Sequence, residues 1–121
     1  MFMNKYNEKT PIFHGEGIID VTRFDAISPE DPLGYLCGCD ISVYQSGKID
    51  IRSIDNAKDL LESFSAKDII RVSYNINNYD PAHDTEIAVI TENKALRITF
   101  YNKESKIEFC NVLAKRIAYN V

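Results

Sequence analysis

The chain has 121 residues, 45% of them apolar, with three cysteines and a formal net charge of -4. That length fits one domain with enough interior for a core without staples, and no apolar run approaches the roughly 18 residues that a membrane-spanning helix needs. The acids Glu16, Asp20, Asp25, Glu30 and Asp31 face a single base, Arg23, between Gly15 and Asp31, so this one segment carries the whole imbalance and the remainder is neutral. Such a balance offers no basic footprint for nucleic acid and argues against direct binding to anionic lipid.

Residues 1–14 read as a loose polar N-terminal arm and 15–121 as one domain; the opening residues lack the apolar stretch of a secretory signal. Without such a signal, the odd cysteine count points to free thiols in a reducing compartment, the cytoplasm. Cys37 and Cys39 lack the two-residue spacer and the second ligand pair of a metal site and read as core residues.

The first strand is expected over Ile12 to Phe24, with Gly15 and Gly17 loosening its start and Asp25 to Gly34 forming a loop broken by Pro29 and Pro32. The clearest hairpin spans Tyr35 to Ile54. Tyr35, Cys37, Cys39, Ile41 and Val43 alternate with Leu36, Gly38, Asp40 and Ser42, the period of a half-buried strand. Gly47 supplies the positive φ of the turn, and on the return strand Asp50 and Arg52 are expected to face solvent. Asp55 to Phe64 reads either as a short helix capped by Asp55 or as a strand over Leu60 to Phe64. The strand is favoured, because few apolar residues would anchor a helix there.

Beyond the Ser65-Ala66-Lys67-Asp68 turn, Ile70, Val72, Tyr74 and Ile76 are expected on one strand face and Arg71, Ser73 and Asn75 on the other. After a polar loop through Tyr79, Asp80, His83 and Asp84, a second hairpin joins Thr85–Thr91 to Ala95–Tyr101 through Glu92-Asn93-Lys94, where Asn93 tolerates a left-handed conformation. The closing helix runs from about Lys103 to Ala118. Asn102 is its N-cap, and Ile107, Cys110, Leu113, Ala114 and Ile117 form an apolar stripe widened by Phe109. The fold class is therefore mainly β, a barrel or split barrel of about seven antiparallel strands plugged by one C-terminal helix.

That order of elements resembles the pleckstrin-homology superfold in a divergent or GRAM-like form, over about residues 15 to 119. The resemblance rests on Gly38-Cys39-Asp40-Ile41-Ser42-Val43 leading to Gly47-Lys48-Ile49-Asp50-Ile51, on Phe64-Ser65-Ala66-Lys67-Asp68-Ile69 as the entry to a fifth strand, and on Leu96-Arg97-Ile98-Thr99-Phe100 followed by the helix. It implies a binding module for phosphoinositide headgroups, peptides or proteins, and not an enzyme. Phosphoinositide-binding members carry several Lys and Arg on the first two strands and their loop, where this chain has Arg23 among five acids, so a headgroup would meet like charge.

No phosphate-binding glycine loop, nucleophile motif or cofactor signature is present. His14 and His83 have no cysteine or serine partner at a recognisable spacing; His83 beside Asp80 and Asp84 is the sole candidate for general-base or metal chemistry and reads as a solvated loop residue. The expected function is recognition of a protein or peptide, in particular a basic one, through the open sheet edge or the first loop. Asp25, Glu30 and Asp31 would steer the partner, and Tyr44 and Tyr101, on outer strand faces, would supply contact area. The alternative is a small acidic inhibitor or immunity-type protein that blocks a basic partner such as a nuclease. An unpaired strand edge also allows a homodimer.

Overall fold

A computed structural model of the chain describes residues 10–24, 34–56, 59–74 and 85–119. The strands are β1 (Phe13–Arg23), β2 (Gly34–Val43), β3 (Lys48–Ser53), β4 (Leu60–Ser65), β5 (Ile69–Tyr74), β6 (Glu86–Thr91) and β7 (Lys94–Phe100). A short 3-10 turn (Ala66–Asp68) joins β4 to β5, and the helix α1 (Lys103–Tyr119) closes the chain. All strand pairs are antiparallel and form one sheet in the order β4-β3-β2-β1-β7-β6-β5. The sheet curls into a half-barrel whose edges, β4 and β5, are linked by the 3-10 turn.

β1 begins at Phe13, one residue inside the span expected for the first strand. It is the spine of the fold, because its length lets it pair with β2 along one side and with β7 along the other. The crossover explains Gly17: a Cβ there would collide with the Thr99 carbonyl oxygen and come 3.0 Å from the Phe100 Cα. Gly47, with φ of 95°, makes the β2–β3 turn as expected.

Alternation puts Ile19, Val21, Cys39, Ile41, Val43, Ile49 and Ile51 inside, with Ile87, Val89, Leu96 and Ile98 from the other half of the sheet. At the plugged end Phe13, Phe100 and Phe109 meet with ring centroids 5.3 to 6.0 Å apart, joining the start of β1, the end of β7 and α1. Ring pairs at such separations contribute about 1 kcal/mol each beyond their burial. The Asn102 side chain accepts the Ser105 N–H at 2.7 Å, as expected of an N-cap.

Several sequence expectations are corrected. Asp50 does not face solvent; it is 4% exposed, accepting the Ser63 hydroxyl at 2.7 Å with Lys48 and Arg52 charges 3.6 and 3.8 Å away. Those partners sit two residues either side on β3 and directly across on β4, and together they cover the carboxylate. Among the described residues no non-glycine has positive φ, so Asn93 turns the second hairpin without the left-handed conformation. The β5 alternation breaks at its first turn: Ile69 and Val72 pack on the core, whereas Ile70 is 68% exposed. The cause is a shift in pairing between Ile69 and Arg71, a bulge that leaves Ile70 as the extra residue. On α1, Phe109 and Leu113 are the buried anchors, while Ile107 and Ala114 of the expected stripe are exposed. Over Asp55 to Phe64 the favoured strand is the one formed, as β4.

Candidate functional site

Four strands place polar side chains at the end of the half-barrel away from α1. Arg23 ends β1, Tyr35 lies near the start of β2, Lys94 begins β7 and Glu62 lies within β4. Between β3 and β4 the pairing steps from Ile51–Glu62 to Arg52–Leu60, leaving Leu61 as an extra residue. Glu62 thereby faces the interior beside Ile51, with its side chain only 2% exposed. Its carboxylate receives the Lys94 ammonium at 2.5 Å, the Tyr35 hydroxyl at 2.5 Å and the Arg23 guanidinium at 3.1 Å. Lys94 also lies 5.6 Å from the centre of the Phe64 ring. Burial, then the hydrogen bond to Glu62 and its charge, push the Tyr35 phenol well above its ordinary value, so it stays protonated and donates. The two cations are thus neutralised in part by the chain's own carboxylate, and this end of the barrel is an internally satisfied cluster.

The second concave region lies along β5, which among the described residues pairs with β6 alone. Between β5 and α1 runs an apolar cleft of about 350 Å3, lined by Ile69, Ile70 and Val72 on one side and Leu113, Ala114 and Ile117 on the other. Among the described residues, Arg71 is the one charged side chain lining it. A more polar cleft of about 520 Å3 lies across the β4–β5 seam, where Phe64 and Lys67 face Glu92 and Lys94. Ile70 lines both clefts, so the bulged residue forms a ridge between them. The sequence marked β5 as a strand but missed this geometry, because a bulge carries no compositional signal.

Successive helix residues turn by about 100°. Lys103, Lys106, Cys110, Ala114 and Ile117 therefore share a flank of α1, while Glu104 and Glu108 lie on the opposite one. The apolar stripe expected at three- and four-residue spacing is thus split: Leu113 enters the core, while Ala114 and Ile117 line the cleft. The Nε of Arg116 is buried with no hydrogen-bond partner among the described residues.

Of the site residues expected from sequence, Asp25, Glu30 and Asp31 lie outside the described residues, as do Asp80, His83 and Asp84. Glu16 and Asp20 are exposed on the outer face of β1, where Glu16 pairs across the strand with Asp40 and Asp20 with Arg97. Arg97 also binds Glu86 at 2.9 Å, and the His14 ring contacts the Asp40 carboxylate. Tyr101 is 58% exposed just beyond β7, and Tyr44 is half-buried with the Lys48 ammonium 5.8 Å above its ring. These residues are not gathered with the β5 clefts. The three cysteines are free thiols, and among the described residues no group of three His, Cys, Asp or Glu is arranged to hold a metal ion.

Sequence reasoning missed Glu62 and its three partners. One signal was present: Glu62 shares strand parity with Phe64, which puts an acid on a face that alternation makes apolar.

No family model matches the chain, and no curated protein matches its sequence. Among solved structures it is similar to inner membrane complex sub-compartment protein 3 of Toxoplasma gondii, with a TM-score of 0.57 and 13% identity over 87% of this chain and 76% of that one. It is also similar to the Ran-binding domain of the nuclear pore complex component Nup2 from Ashbya gossypii, with a TM-score of 0.51 and 13% identity over 90% of this chain and 97% of that one. The C-terminal PH domain of human pleckstrin matches at a TM-score of 0.49 and 9% identity over 100% and 99% of the two chains. At these identities the likeness to the first two is one of fold alone, and the seven-stranded antiparallel half-barrel closed by a C-terminal helix is a pleckstrin-homology-like fold.

Proposed function

We propose that the chain is a non-enzymatic binding module that recognises a protein by accepting one extended segment along β5. The observation that carries this reading is a strand edge that, among the described residues, pairs with β6 alone and lies beside an apolar cleft, with the exposed Ile70 between two depressions. A segment added there gains main-chain hydrogen bonds from the edge and burial for alternate side chains in the cleft. The Nup2 domain, which is named for binding Ran, shows that a similar fold serves protein recognition elsewhere. A phosphoinositide ligand is disfavoured, since Arg23 and Lys94 already have Glu62 as counter-ion. The free thiols support a reducing, cytoplasmic setting.

A second reading has a basic partner docking on the acidic first segment, with Asp25, Glu30, Asp31, Tyr44 and Tyr101 as contacts. It is favoured by one observation, the like-charge pair of exposed Glu16 and half-buried Asp40 on adjoining strands. Photo-crosslinking separates the two. A benzophenone side chain placed at position 70, 101 or 30 is irradiated with native extract, and the specific adducts are compared. A discrete adduct from position 70 alone supports strand addition. Adducts confined to positions 30 and 101, suppressed by salt, support the acidic face and overturn the first reading.

A further inference from the structure

We propose that the segment received along β5 is acidic, alternating carboxylates with apolar side chains, although the chain that receives it is itself net acidic. This rests on the strand-addition reading above and specifies the chemistry of its ligand. Among the described residues, the charge that lines the cleft is basic. Arg71 lines it from β5, while Lys103 and Lys106 share the flank of α1 that carries Ala114 and Ile117 but stand two turns or more nearer its N-terminus. The helix acids Glu104 and Glu108 are turned to the far flank. The acid of the adjoining 3-10 turn, Asp68, is engaged, accepting the Ser65 N–H at 3.0 Å in a capping box. An extended segment projects alternate side chains to opposite faces. One set would enter the apolar cleft against Val72, Leu113 and Ile117, and the other, turned away from α1, would present charge to Arg71, which is exposed beside the core-packed Val72. Carboxylates complement that rim, whereas ammonium groups meet like charge.

The test uses the full chain labelled with 15N and two acetylated octapeptide amides, one alternating Val with Glu and the other Val with Lys. The Val/Glu peptide is expected to shift the amides of residues 69–72 and 113–117, and the Val/Lys peptide to bind about threefold more weakly at low salt, the scale of one exposed ion pair. Arg71→Glu, an exposed change checked for retained fold by its spectrum, should narrow or reverse that preference, and Arg71→Lys should retain it. Equal or tighter binding of the Val/Lys peptide in the cleft overturns the charge assignment while leaving strand addition standing. Unchanged preference in the Arg71→Glu protein also overturns it. No shift at residues 69–72 with either peptide removes the strand-addition reading and this inference with it. A concentration-dependent dimer with those amides already protected identifies the occupant as a second copy of the chain, which overturns the proposal.

Discussion

The Lys94 ammonium lies 2.5 Å from the Glu62 carboxylate, linking the first residue of β7 to the edge strand β4 across the interior of the half-barrel. These two strands are not neighbours in the sheet, so the contact closes the end that α1 does not reach. Removing the acid's charge leaves the Lys94 and Arg23 cations without a counter-ion and turns one acceptor oxygen of the cluster into a donor. Glu62→Gln is expected to lower stability by about 3 kcal/mol, read as a lower urea midpoint at unchanged slope. Replacing the pair together by Glu62→Leu and Lys94→Met should cost less than Glu62→Leu alone, since no buried ammonium is then left unpaired. A double change as costly as the sum of the two single changes would contradict that coupling.

Tyr35 makes the same cluster sensitive to alkali. Its phenol is held above its ordinary value of 10 in the folded protein, so above pH 10 the unfolded chain releases that proton first. Stability from this group is complete below about pH 10 and falls as pH rises beyond it. Cys39 acts with the same sign from a lower starting point, because burial pushes its thiol up to about 12 from 9.0. Tyr35→Phe should lose about 2 kcal/mol at neutral pH, the scale of a hydrogen bond to a carboxylate. Its deficit against the parent protein should shrink above pH 10. Parallel stability curves through that range would show that the phenol does not carry the linkage.

Gly17→Ala tests the crossover of β1 from β2 to β7. The added methyl meets backbone atoms of Thr99 and Phe100, which move only if β7 moves. A loss of about 2 kcal/mol is expected from such overpacking, equivalent to a melting temperature lower by roughly 8 °C for a domain of this size. A thermal scan within 2 °C of the parent, as a rough threshold on that scale, would mean that β7 yields more freely than its pairing implies.

Much of the architecture was legible because the strands bury one face each. In β2 the odd positions from Cys39 to Val43 are buried and the even ones are more open, so the pattern and the structure coincide. The same logic failed at Ile70, where one inserted residue resets the register of an edge strand without changing composition. It failed at Glu62 because the partners Arg23, Tyr35 and Lys94 lie 39, 27 and 32 residues away, and no local pattern encodes such a meeting. Along α1 the apolar arc is wider than the sheet can cover, and only packing decided that Phe109 and Leu113 turn inward while Ala114 and Ile117 border the cleft. The region proposed for binding was legible in sequence only as an open edge, since the edge strand's identity follows from pairing order.

Ile70→Ser separates folding from recognition at that edge. The side chain is 68% exposed and lies outside the core, so its loss should change stability by less than about 0.5 kcal/mol. Both clefts would nevertheless lose their shared ridge. If an extended segment docks there, its affinity should fall about tenfold, the scale of removing one buried apolar contact at the centre of an interface. Val72→Ser, by contrast, should unsettle the fold as well, because Val72 packs on the core. Titration of a bound segment by 15N shifts, alongside urea denaturation of each variant, reads both quantities on the same protein. An Ile70→Ser protein that is as stable as its parent and binds as tightly would place recognition elsewhere than β5.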